Sequence, residues 1–278
     1  INNRYLVETN ESVNLPSAST LAVLRQELST RKTAPKAVAV LADPVFEVTD
    51  QRFTFAKVKA DNNLTATRST ETEDLNSSIS DFGDTDLSLK RLPFTRQEAE
   101  TIGKLVPANQ SKIALDFAAT RQLALSDEMN QYRILHFATH GFLNGKNPEL
   151  SGLVFSLVDE NGKPQNGFMR TDEVFNLKLS ADLVVLSACK TGLGKDIRGE
   201  GLIGMTRGFM YAGASRVMVS QWDVNDEATA GLMAQFYQKH LANKMSPSKA
   251  LREVQISFLK DKNRSNPYYW AAFTLHGE

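Results

Sequence analysis

The sequence predicts an α/β fold in which a mostly parallel β-sheet is sandwiched between α-helices, with an N-terminal strand-helix arm. Three observations carry this. Short apolar runs near residues 38, 113, 135, 185 and 218 lack the alternation of a half-solvated strand, and continuously apolar strands are buried on both faces. Helical patterns separate most of these runs and supply the crossovers that parallel neighbours need. The chain has 278 residues, 41% hydrophobic and 8% aromatic, enough for a large core.

Along the chain, Tyr5 to Glu8 reads as a short strand and Pro16 to Leu28 as a helix. Ser17 or Ser19 caps that helix, and Leu21, Val23, Leu24 and Leu28 give it an apolar face. A strand at Ala37 to Leu41 ends at Asp43-Pro44. Residues 61–86 then change character: 19 of these 26 are Asp, Glu, Asn, Ser or Thr, and seven acids against Arg68 give a net charge of −6. With so little apolar area the segment cannot fold alone, which predicts an acidic mobile loop over 61–90. The expected division is therefore 1–60 for the arm and first strand, 61–90 for the loop and 91–278 for the core.

Thr95, with Glu98 three residues later, reads as a capping box opening a helix toward Leu105. A strand at Lys112 to Leu115 and a helix from Thr120 to about Met129 follow. Gly152 to Val158 and Gly167 to Arg170 form a hairpin turned at Asn161-Gly162. Beyond it lie a helix near Leu202 to Tyr211, a strand at Arg216 to Gln221 and a helix from Asp226 to His240. Ser246-Pro247 starts the last helix, and a closing strand runs from Trp270 to Leu275.

Lys plus Arg equals Asp plus Glu at 32 each, so no global charge recommends nucleic acid or an anionic membrane. No apolar run approaches the roughly 18 residues of a membrane span. The single cysteine excludes an internal disulfide framework and fits a reducing, cytoplasmic compartment. The chain begins at Ile1, which reads as an excised piece of a longer protein. Histidines at 136, 140, 240 and 276 lack zinc-site spacing, so no metal and no cofactor are expected.

Two apolar runs carry the chemistry. Ile134-Leu135-His136-Phe137-Ala138-Thr139-His140-Gly141 and Leu183-Val184-Val185-Leu186-Ser187-Ala188-Cys189 each end in a reactive side chain, 49 positions apart. That spacing is the caspase type, with its histidine about 50 residues before its cysteine. A thiol at neutral pH is only a few per cent thiolate and needs a base, which an imidazole at the same sheet edge supplies. The Gly141 and Cys189 amides offer two donors for an oxyanion. Spacing alone leaves a plainer reading open, in which Cys189 is a small buried hydrophobe and His140 a turn residue. His136, farther from the strand exit, reads as an interior histidine.

HFATHG at 136–141, LSACKTG at 186–192 and QWDVNDEATA at 221–230 resemble the signature segments of the CHAT family. These are caspase-like peptidases related to separases and often attached to tetratricopeptide repeats. The likeness extends through NLPSASTLAVL at 14–24, LPFTRQEAETI at 92–102 and NPYYWAAFTLHGE at 266–278. It implies a caspase-like fold and a cysteine endopeptidase acting on protein substrates, with His140 as base, Cys189 as nucleophile and no third group assigned. It further implies control by attached repeats or a regulatory partner, in bacterial defence or differentiation. Acids line the pocket for a basic residue in such enzymes, which makes Asp223 the first candidate, Asp226 the second and Trp222 a pocket wall. Asn225, Asp226 and Glu227 also read as an ordinary acidic helix start. The alternative function is a silent or occluded regulatory or scaffolding module. Gly199 to Gly204 matches G-x-G-x-x-G, yet ten residues separate it from its strand, which argues against a dinucleotide site.

Overall fold

A computed structural model describes the chain outside residues 1–3, 16, 18–21, 23–24, 27–30, 54–88, 143–150, 188–199, 223 and 278, and outside the side chains of 200–202. Cys189, Asp223, nearly all of the expected acidic loop and most of the expected helix at 16–28 lie outside the described residues. In chain order, α1 (Leu6–Thr9) precedes β1 (Lys36–Pro44), and α2 (Pro93–Gly103), β2 (Ser111–Asp116) and α3 (Arg121–Ala124) lead to β3 (Tyr132–Ala138). After β4 (His140–Phe142) come β5 (Gly152–Val154), β6 (Phe168–Arg170), α4 (Thr171–Phe175) and β7 (Leu183–Ser187). Then follow α5 (Glu200–Tyr211), β8 (Arg216–Ser220), α6 (Asp226–Tyr237), α7 (Pro247–Lys260) and β9 (Phe273–Gly277).

The main sheet has the order β2-β1-β3-β7-β8-β9. Its first five strands are parallel, and β9 closes the far edge antiparallel to β8. Side chains alternate between two apolar layers, which is why the strands show no polar alternation. Val38, Val40, Ile134, Val185 and Met218 pack in one layer with Ile102 of α2, Phe236 of α6 and Val254 of α7. Leu41, Leu135, Phe137, Leu186 and Val219 pack in the other with Phe155, Met205 and Phe209. Burying each large apolar side chain is worth about 1.5–3 kcal/mol, so both layers contribute heavily. A second, antiparallel sheet, β4-β5-β6, stands beside the first and contains the expected hairpin. Its turn holds Gly162 at φ +80°, where glycine meets no steric cost.

Three local expectations change. Residues 6–9 form a helical turn instead of a strand, because the Glu8 carboxylate accepts the Tyr5 N–H at 2.8 Å. Arg252 of α7 donates to the Val7 and Glu8 carbonyls and fastens that turn. The Thr95/Glu98 capping box does not form. Leu92 is the N-cap and Pro93 opens α2, so Thr95 lies inside the first turn and donates to the Leu92 carbonyl. Glu98 points into the core instead. The helix expected over 120–129 breaks into α3 and a 3₁₀ turn at Asp127–Gln131.

Candidate active site

β3 and β7 are hydrogen-bonded parallel neighbours whose last paired residues are Ala138 and Ser187. Beyond Ala138 the chain leaves the sheet at Thr139, whose hydroxyl donates to the Val154 carbonyl. His140 then starts β4, so the histidine run is split between two sheets. His140 is 4% exposed, and its ring lies tilted 5.2 Å from that of Phe46. Its Nε2 is 2.7 Å from the Lys90 carbonyl oxygen. A carbonyl only accepts, so Nε2 carries a hydrogen, which in the neutral form of the ring leaves the lone pair on Nδ1.

Lys90 sits in a short irregular segment anchored on both sides. Leu89 packs with Phe46, Phe142, Val154 and Phe168. Arg91 places a two-pronged guanidinium on Asp43, Nε to Oδ1 at 2.8 Å and an Nη to Oδ2 at 2.7 Å. Asp43 is fully buried at the end of β1 with φ +48° and also pairs with Arg52 at 3.1 Å and Arg96 at 3.0 Å. Asp116, at the end of β2, meets the same Nη of Arg52 and the free arm of Arg96, while the other two arms of Arg52 grip Asp50. Burial opposes ionisation of Asp116, but hydrogen bonds from the two arginines hold its carboxyl below the usual range. A cleft of about 240 Å³ opens beside this segment, lined by Phe46, Glu47, Asp50, Lys90 and Arg91.

Below the strand exits, four buried polar side chains meet. The Ser187 hydroxyl donates to the Glu98 carboxylate at 2.9 Å. His136 Nε2 lies 2.9 Å from the same carboxylate, although its N–H is not aligned on the oxygen. His136 Nδ1 meets the Tyr237 hydroxyl at 2.9 Å. Burial, reinforced by Glu98, pushes the Tyr237 phenol well above its usual range, so its hydroxyl keeps its proton in this contact. His136 is thus the interior histidine its position implied.

Gly141 is buried at the centre of β4, opposite Leu153. Trp222 lies just past β8, its indole N–H donating to the Tyr268 carbonyl at 3.0 Å. Asp226 opens α6, with Asn225 as N-cap. Its Oδ2 accepts the Phe94 N–H at 3.1 Å, which joins the starts of α6 and α2. Burial pushes the Asp226 carboxyl up to about 6, with Glu98 and Asp43 adding repulsion and the Phe94 N–H opposing. Among the described residues no group of three potential metal ligands forms, and no helix is long and apolar enough to cross a membrane.

A family model for the CHAT domain matches residues 2–278. The chain belongs to the CHAT-domain family. This CHAT domain is 36% identical over 105 residues to tetratricopeptide repeat protein 28 of Mus musculus, covering 38% of the chain and 4% of that protein. To tetratricopeptide repeat protein 28 of Homo sapiens it is 27% identical over 217 residues, covering 67% of the chain and 8% of that protein. The domain therefore spans a small fraction of both relatives. Its fold is that of Saccharomyces cerevisiae separase, solved with securin, at a TM-score of 0.51 and 14% identity over 96% of this chain and 14% of that one. It is also that of the Arg-specific cysteine proteinase gingipain R, at a TM-score of 0.53 and 10% identity over 95% of this chain and 52% of that one. The architecture is caspase-like, with its mostly parallel sheet held between helices.

Sequence reasoning missed two groups, the Lys90 carbonyl beside His140 and the Glu98 carboxylate beside His136. The Lys90 carbonyl is a backbone group, and no side-chain pattern announces which carbonyl faces an imidazole. Glu98 had a signal that pointed elsewhere, toward a helix cap.

Proposed function

We propose that this CHAT domain is a cysteine endopeptidase with Cys189 as nucleophile and His140 as general base. One observation carries the reading: His140, at the exit of β3, donates Nε2–H to a backbone carbonyl and so keeps Nδ1 as its basic nitrogen. The β3–β7 register supports it, since His140 and Cys189 each follow the Ala138–Ser187 pair by two residues. His140 Nδ1 takes the thiol proton and the thiolate attacks the scissile carbonyl carbon. The Gly141 and Cys189 amides hold the resulting oxyanion, where one such donor is worth about 3–4 kcal/mol. The intermediate collapses as the imidazolium protonates the leaving amine. Water, deprotonated by His140, then hydrolyses the thioester and frees the thiol.

The Lys90 carbonyl is the third group of this arrangement. It fixes the ring's tautomer and stabilises the imidazolium formed in both steps. For specificity we infer a preference for Arg or Lys before the cut, with Asp223 as first candidate, Asp226 as second and Trp222 as pocket wall. The Arg specificity of gingipain R, a neighbour in fold, is consistent with that class of substrate. A peptide library profiled with the active protein tests it, and no enrichment of basic residues before the cut refutes it. Full-length relatives that carry tetratricopeptide repeats support control by such repeats or a partner.

The 4% exposure of His140 favours a second reading, an occluded module that regulates or scaffolds without turnover. Labelling with an electrophilic peptide, with and without adjoining repeats, separates the two. Adduct at Cys189 in either sample supports the enzyme, and none in both supports the silent module.

A further inference from the structure

We propose that Arg91 and Asp43 form a positioning clamp for His140, acting through the Lys90 carbonyl; this rests on the catalytic reading of His140 and Cys189. Residues 89–92 lie in no helix or strand, so side-chain anchors set their backbone. Leu89 holds one side of Lys90 in an apolar cluster. Arg91 holds the other with a two-pronged contact, which fixes orientation as well as distance. The receiving carboxylate is immobile: Asp43 is fully buried, ends β1 and carries three arginines. Asp43 also sits at φ +48°, an uncommon conformation for a residue with a side chain, held by the surrounding contacts. From that carboxylate the chain of contacts is short. Arg91 is bonded to Asp43, Lys90 precedes Arg91, and the Lys90 carbonyl accepts His140 Nε2–H at 2.7 Å.

Loss of the fork frees the Lys90 peptide to rotate. The imidazole then loses the acceptor that selects its tautomer and stabilises its cation, and less thiolate–imidazolium pair forms near neutral pH. Arg96 supplies the internal control. It bonds the same carboxylate, but its backbone is held by α2 and not by residues 89–92. A merely structural role for the cluster makes Arg91 and Arg96 equivalent; a positioning role does not.

Cys189 is the only cysteine, so iodoacetamide alkylation reads this thiol alone and requires no peptide substrate. Rates for the wild type, His140→Ala, Arg91→Lys, Arg91→Met and Arg96→Met are compared at about pH 6 and about pH 9, with melting temperatures measured alongside. The expected result is alkylation about tenfold slower at pH 6 in Arg91→Met, a partial loss in Arg91→Lys and a near wild-type rate in Arg96→Met. Near pH 9, where the thiolate forms unaided, the variants converge. A His140→Ala rate equal to wild type at pH 6 refutes the dyad itself. A slowed His140→Ala with unaffected Arg91 variants, or with Arg96→Met slowed equally, overturns the clamp and leaves the dyad standing. If Arg91→Met does not fold, Arg91→Lys decides alone: slowed alkylation supports the clamp and a wild-type rate overturns it.

Discussion

Asp226 shows how one residue's surroundings become a measurable property of the fold. Its carboxyl is raised from 3.8 to about 6, chiefly by burial, so the folded chain favours the protonated form. The stability from that preference is fully present below the unfolded value and is lost as the pH rises through the folded one. Asp226→Asn keeps an oxygen that can accept the Phe94 N–H but removes the charge. Melting curves should therefore match wild type near about pH 4 and show a more stable variant near about pH 7.5. A variant equally or less stable at the higher pH contradicts this. Ser187 gives a second expectation, because Ser187→Ala removes a donor from the buried Glu98 carboxylate. A cost of about 1–3 kcal/mol in denaturant unfolding is predicted. At this scale the sequence was only partly legible. His136 could be read as interior because it sits before the strand exit. Glu98 could not, because three-residue spacing from a threonine fits a capping box as well as an inward-facing helix position.

Among the elements, α2 ties the start of α6 to the ends of β1, β2 and β7. Its N-terminal Phe94 amide meets Asp226, its Arg96 meets Asp43 and Asp116, and its Glu98 meets Ser187 at the end of β7. The break between β3 and β4 at Thr139 is the other decisive local feature, since it takes His140 out of the central sheet. No periodicity announces that break, because both pieces are apolar and buried. The end of α5 was easier to foresee. Gly213, at φ +110°, allows a double C-cap in which its N–H meets the Met210 carbonyl and the Ala214 N–H meets that of Phe209. A Cβ there would stand 2.4 Å from the Leu179 carbonyl oxygen. Gly213→Ala is expected to cost about 1–3 kcal/mol, visible as a lower melting temperature without loss of far-ultraviolet helix signal. An unchanged melting temperature would show that the backbone relaxes at no cost.

For the molecule as a whole, the continuous apolar strands determine the architecture. A strand apolar on both faces needs helices on both sides, and helical segments between such strands make their neighbours parallel. That inference required only residue types and spacing, and the sheet agrees with it, apart from β9, which runs antiparallel to β8 after two consecutive helices, α6 and α7. Of the candidate site, the position of His140 just past the end of β3 was legible from the strand pattern, whereas Cys189 lies outside the described residues. The site was illegible where it depends on backbone atoms and long-range ion pairs, as at Lys90, Arg91 and Asp43. Cleavage of a protein or peptide-library substrate by wild type, Cys189→Ala and His140→Ala, all with matched melting temperatures, bears most directly on the proposed dyad. Cleavage by the wild type should fall by at least about 10³-fold in both variants. Equal cleavage by wild type and Cys189→Ala would contradict the mechanism.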